Sequence, residues 1–258
     1  MDWFEIKRNV LLALEWNLLR EKHYWKLSVF NIIIGGVLYM IYIIFAGNFV
    51  QSFSEVKNYL YILIIGVIFY RSFNQSFGSV VRDFVNLKYL TMQYIFTGFS
   101  YILFLDFFWD VKTILYILLG YFTIPLILGY LSIDIILYVL VFSLVIMFSS
   151  YSLALITSPL FIYVRKESQD LIQIVENLLS IIIPTTFMAS YFFFYKFTIL
   201  IPPIVLIEEF RKILLGIEYD WLLLIEALVI SIIYFLLGWV VFTISFNYAK
   251  RKGWVRLI

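Results

Sequence analysis

The chain holds no cysteine and a single histidine, His23, among its 258 residues. Without Cys there is no disulfide, no thiolate metal site and no thiol nucleophile. With one His there is no multi-histidine metal centre, and a Ser-His-Asp triad would have to rest on His23 alone. No Gly-x-x-x-x-Gly-Lys-Ser/Thr loop and no dinucleotide fingerprint occur, so no familiar nucleotide site is present. Charge is also scarce. Asp, Glu, Lys and Arg make up 14% of the residues, against roughly a quarter in soluble domains. A net charge of +2 gives no reason to expect nucleic acid as a partner.

Apolar residues take the place of charge: 64% are hydrophobic and 21% aromatic. A soluble domain of this length cannot hide that much apolar surface in one core. A helix needs about 20 mostly apolar residues to cross about 30 Å of hydrocarbon. Six stretches qualify, near 27–46, 59–81, 111–131, 133–161, 171–194 and 221–246. Backbone in lipid must satisfy its own hydrogen bonds, so these runs are helices. The alternating segments of about ten residues that mark a membrane β-barrel are absent. The expected fold is an all-α integral membrane protein, multi-pass in the lipid bilayer, with residues 1–258 as a single transmembrane domain. A tight turn is expected at 129–134, a polar break at 165–170, and a kink at Pro184 inside the fifth span. No cleavable signal peptide is expected, because the apolar run at 10–14 is short and Glu15 interrupts it.

Orientation follows from the distribution of Lys and Arg. With six spans and both termini cytoplasmic, thirteen basic residues fall on the inner side. Only Lys57, Lys196, Arg211 and Lys212 fall outside. Reading the long stretch 95–131 as two spans would put Lys250, Arg251 and Lys252 on the wrong side.

Three segments are not spans. Residues 1–26 place Trp3, Phe4, Ile6, Val10, Leu11, Leu14 and Leu18 on one helical face, which predicts an amphipathic helix lying in the cytoplasmic interface. Residues 82–94 mix charged and large apolar side chains, which predicts a short cytoplasmic helix whose apolar face needs cover. Residues 202–216 open on Pro202-Pro203 and end at Gly216, with Glu208 placed to meet Arg211 and Lys212. They predict a short outer helix, in the outer leaflet or across a pore mouth.

Charges inside spans are the candidate functional residues. Arg71 follows twelve residues of the second span, and Asn74, Gln75 and Ser79 continue a polar stripe from it. Such a stripe either borders an aqueous or substrate pathway or packs polar groups between helices. Asp106 and Asp110 are one turn apart, but with Lys112 beside them they read as an interfacial charge cluster at the cytoplasmic end of span three. No catalytic residue and no metal ligand is assigned.

The layout resembles the permease subunit of type-two ATP-binding-cassette exporters, over essentially the whole chain. The best local match runs from Ile201-Pro202-Pro203 to Glu208-Glu209-Phe210-Arg211-Lys212-Ile213-Leu214-Leu215-Gly216. Arg165-Lys166 after span four is also similar, as is Val81-Arg82-Asp83, where Asp83 replaces the family's usual Glu. The Pro that the family carries downstream of that acid is missing. The resemblance implies a permease that exports an amphipathic drug, lipid, peptide or glycan across the cell (plasma) membrane. Two copies, or one copy and a homologue, would pair and dock on separate cytoplasmic ATPase subunits. ATP and Mg would belong to those partners, so this chain binds no cofactor and is not itself an enzyme. Asp83, Phe84, Leu87, Lys88 and Tyr89 would form the coupling helix. Arg71, Asn74 and Gln75 on span two, with Pro184, Thr185 and Met188 on span five, would line the substrate route. Glu208, Glu209 and Arg211 would belong to an outer gate helix. The alternative is an ATP-independent channel or secondary transporter, which would favour two similar halves or paired broken helices. No internal repeat is evident.

Overall fold

The computed structural model describes residues 3–53, 59–85, 99–164, 174–175, 177–178 and 195–251. Among these there is no strand. The elements are α1 (Trp3–Phe53), α2 (Tyr59–Val85), α3 (Phe99–Ile127), α4 (Ile133–Val164), a 3-10 turn (Tyr195–Leu200), α5 (Pro202–Leu215) and α6 (Trp221–Arg251). Five of the helices contain stretches long and apolar enough to cross a membrane: Ile33–Ser52, Tyr59–Val81, Phe107–Ile127, Ile133–Leu160 and Trp221–Ser245. The chain is therefore an all-helical, multi-pass membrane protein. The fifth stretch expected from the sequence, 171–194, lies outside the described residues apart from two helical pairs at 174–175 and 177–178.

Two boundaries differ from expectation. The leader and the first span are one element, because α1 is helical without a break for 51 residues. At 1.5 Å per residue it is about 76 Å long, far more than the bilayer requires. No Gly or Pro occurs between Trp3 and Ile34, so no residue there interrupts the ladder. On the leader, Leu11, Leu14 and Leu18 are exposed while Asn9 and Ala13 are fully buried, so its wide apolar face points away from the bundle. The third span, expected from 111, belongs to a single helix that already starts at Phe99, with its apolar stretch from Phe107, so it takes in Asp106 and Asp110. Pro125 and Pro159 both sit inside helices, near their C-terminal ends, where few downstream backbone bonds are lost. After Pro125 the chain turns tightly. The Tyr130 amide donates to the Pro125 carbonyl at 2.8 Å, and Gly129 adopts the left-handed conformation (φ 71°) that starts the return.

The main packing is not between sequence neighbours. α1 lies mainly along α3, α2 along α4, and α4 also along α6. Smaller contacts of α2 with α1 and α3 join the two groups, and α5 rests on α2, α4 and α6. The closest approaches use glycine. A Cβ on Gly120 would stand 2.7 Å from the Ile33 carbonyl oxygen and 3.2 Å from the Gly36 Cα. A Cβ on Gly238 of α6 would stand 2.8 Å from Leu155 Cβ on α4. Helices in lipid gain little by hiding apolar side chains from a solvent that is itself apolar, so close backbone contact is what holds them. Short polar bonds add to it: Ser149 to Ser231 at 2.7 Å between α4 and α6, and Ser79 to Asp110 at 2.5 Å between α2 and α3.

The adjacent pair Gly35 and Gly36 gives a sharp test. Gly36→Leu or Gly120→Leu should cost at least about 2 kcal/mol by forcing α1 off α3. Gly35→Ala, whose Cβ meets nothing within 4 Å, should be neutral. Unfolding in mixed detergent and SDS micelles reads the difference; equal effects at all three positions would contradict the packing.

Candidate functional site

Arg71 sits twelve residues after Tyr59 and ten before Val81, the ends of its apolar stretch, so it lies close to mid-depth. An Arg facing hydrocarbon there costs about 2.5–3.5 kcal/mol on insertion scales. Arg71 faces a cavity instead. Its walls come from three helices: Gly35, Gly36 and Tyr39 of α1, Val67, Tyr70, Arg71 and Gln75 of α2, and Thr113, Ile117 and Tyr121 of α3. The volume is about 580 Å³, within the range of small-molecule sites, about 300–1,000 Å³.

The cavity exists because the α1–α3 crossing is tight at Gly36 and Gly120 and because Gly35 contributes no side chain on its other flank. Gly36 and Tyr121 are buried, whereas Gly35, Tyr39 and Arg71 are exposed, so the space opens on that side. Tyr39 and Tyr121 stack across it with ring centroids 5.8 Å apart. Arg71 is the one charged residue in the lining. Among the described residues no carboxylate is bonded to it. Gln75, one helical turn on, puts an amide on the same wall. The result is an aromatic, amide- and hydroxyl-bearing pocket with one cation that no carboxylate among the described residues neutralises.

The second polar cluster is on α5. Residues 202–211 are all buried, including Glu208, Glu209 and Arg211. This is deeper than a helix resting on the membrane surface. Phe210 stacks on Phe142 at 4.1 Å and meets Phe69 edge-on at 6.5 Å. Those partners are nine and ten residues into α4 and α2, or about 14–15 Å below the helix ends. α5 is thus inserted among α2, α4 and α6. Pro202 and Pro203 start it, and Gly216 (φ 65°) stops it, with the Gly216 amide on the Ile213 carbonyl and the Ile217 amide on that of Lys212.

Glu209 ties this helix to the next. Its Oε1 accepts from Lys212 Nζ at 2.8 Å, and its Oε2 accepts from the Asp220 amide at 2.8 Å. Asp220 in turn caps α6, its Oδ1 accepting from the Leu222 and Leu223 amides. Sequence spacing places Glu208 to meet Arg211 and Lys212; in the structure Glu208 acts on Arg211, and Glu209, which spacing did not select, is bonded to Lys212. Burial pushes the Arg211 guanidinium down to about 10, and Glu208 opposes that shift. It remains a cation at neutral pH.

Of the residues singled out from sequence, Arg71 and Gln75 come together in the cavity, and Asn74 is half-buried beside them without lining it. Glu208, Glu209 and Arg211 come together in the α5 cluster. Asp110, three residues into its apolar stretch, is fully buried and accepts from the Ser79 hydroxyl, while Lys112 sits 3.7 Å over the Trp109 ring. Asp83 and Phe84 fall in the last turn of α2, with their side chains outside the described residues. Leu87, Lys88, Tyr89, Pro184, Thr185 and Met188 lie outside the described residues. Sequence reasoning did not select Gly35, Gly36, Tyr39, Thr113, Ile117 or Tyr121, the α1 and α3 walls of the cavity.

No family model, no curated protein and no solved structure matches the chain.

Two measurements test the clusters. The chain has no native Cys, so single-cysteine variants need no background removal. Gln75→Cys should react with a membrane-impermeant thiol reagent, and the fully buried neighbour Ser76→Cys should not; resistance of both would mean the cavity is dry. On α5, Glu209→Ala should lower stability by about 2–3 kcal/mol, the worth of its charged hydrogen bonds. Glu209→Gln, which can still accept from the Asp220 amide, should cost less. Detergent–SDS unfolding checks the order.

Proposed function

We propose that the chain is the membrane permease of an ATP-driven exporter of amphipathic molecules, working as a pair and borrowing force from separate cytoplasmic ATPase subunits. The observation that carries the transport half of this reading is the Arg71 cavity. A cation at mid-depth, in a space of about 580 Å³ that opens sideways from a multi-pass bundle, suits a membrane-embedded binding step better than a purely structural role. The ATP-coupled half rests on the sequence resemblance. It takes six spans with both termini cytoplasmic, in the cell membrane, which places the start of α6 and the inserted α5 on the outer side and the end of α2 on the inner side. In that arrangement Asp83 and Phe84 reach the cytoplasm at the tip of α2, where they and residues 87–89 would meet the ATPase. Substrate binding falls to residues of α1, α2 and α3, and hydrolysis to the partner chain. The α5 cluster then works as a rigid outer plug between α2, α4 and α6, whose displacement opens the exit.

Co-expression with a cognate ATPase subunit tests this directly. A stable complex whose ATP hydrolysis responds to the permease is expected. Asp83→Ala with Phe84→Ala should uncouple hydrolysis from transport or release the ATPase. Solute movement by the purified chain alone, without any nucleotide-hydrolysing subunit, would instead make it a channel or secondary transporter.

A further inference from the structure

We infer that the cavity between α1, α2 and α3 is a binding site for the anionic headgroup of an amphiphile, a phosphate or carboxylate seated on Arg71 with its apolar tail leaving past Gly35 and Tyr39. This names the cargo class of the transport reading above and rests on that reading for its role, though not for binding itself. Four observations converge. First, Arg71 is the one charge in the lining, and it meets no carboxylate among the described residues. A guanidinium held in such surroundings selects an oxyanion, to which it can donate two parallel hydrogen bonds.

Second, further donors are grouped around it. Gln75 stands one turn away on α2, with Tyr121 and Thr113 opposite on α3 and Tyr39 on α1. Their amide and hydroxyl groups can take the remaining lone pairs of a phosphate or carboxylate, while no acidic side chain is present to repel it.

Third, the open side is apolar. The exposed surface of α1 next to the mouth carries Ile34, Leu38 and Tyr42, at 38%, 61% and 65% exposure. A cationic head would be repelled by Arg71, a neutral one would make only the weaker uncharged-acceptor hydrogen bonds, and a free anion would leave that surface unused.

Fourth, Gly35 keeps the mouth clear. A Cβ there meets nothing within 4 Å, so packing does not call for glycine at this position. Its neighbour Gly36 is different, since a Cβ there would press on Tyr121 and Gly120. A large side chain at position 35 would therefore fill the entrance without disturbing the helix crossing.

The test uses the full purified chain in dodecyl maltoside, with bound molecules counted by native mass spectrometry. The probes are dimyristoylphosphatidylglycerol, the phosphate-free dimyristoylglycerol and inorganic phosphate. The wild-type chain should prefer the anionic lipid over the uncharged one by about tenfold or more, the size of one charged hydrogen-bonded contact. Arg71→Gln should abolish the preference and Arg71→Lys should keep part of it. Gly35→Phe should reduce anionic-lipid occupancy to a similar extent while leaving Arg71 in place. If Arg71→Gln does not yield monodisperse protein, Gly35→Phe carries the test, because its site is open space. Equal retention of the two lipids by wild type, or an unchanged preference in either Arg71→Gln or Gly35→Phe, overturns the proposal. Saturation by inorganic phosphate with no gain from acyl chains also overturns it, by making the ligand a free anion. Loss of the lipid preference beside an intact ATPase complex would refute the ligand and spare the transport reading; an intact preference without any complex would do the reverse.

Discussion

Lipid gives helices no reason to associate through apolar surface, and this constraint shapes the whole molecule. Contact must come from backbones that approach closely and from the few polar groups that find each other away from water. Gly36 on Gly120 fixes α1 to α3, Gly238 on Leu155 fixes α6 to α4, and Ser149–Ser231 and Ser79–Asp110 pin two further seams. The bulk of the 64% hydrophobic content only makes the helices soluble in the bilayer. Where a pair of glycines draws two helices together and a third cannot follow, a gap remains, and the Arg71 cavity is that gap.

The same constraint explains how charge is handled. Buried charges in low dielectric are tolerated when they are gathered and bonded. α5 does this: Glu209 bridges Lys212 and the Asp220 amide, and Glu208 supports Arg211 against desolvation. Arg71 is handled differently. It lines an open cavity and has no carboxylate bonded to it among the described residues. Two cationic sites in one bundle thus have opposite designs, one closed on itself and one facing outward.

Much of this was legible in the sequence because it depends on local signals. Apolar run length located α2, α4 and α6 within a few residues, and Pro202-Pro203 with Gly216 bounded α5. Arg71 was conspicuous as a charge within an apolar run, and Gln75 followed from helical spacing. The other walls of the cavity were not legible. Helices that are apolar on every side carry no periodic marker of which face turns inward, so nothing distinguished Tyr39 or Tyr121 from the other aromatics. The pairing of α1 with α3 joins residues far apart in the chain, and it shows in the structure at the Gly36–Gly120 approach and the Tyr39–Tyr121 stack. The depth of α5 was hidden for a related reason: its sequence reads as amphipathic, whereas Glu209 finds Lys212 and the Asp220 amide inside the protein, so its carboxylate needs no water.

One property of α1 has a mechanical consequence. The charged leader at residues 7–26 and the cavity wall at Gly35, Gly36 and Tyr39 belong to a single uninterrupted 51-residue helix. A rod without a joint transmits rotation along its length. A pull on the leader would therefore meet no joint before that wall, as a tiller meets none before its rudder.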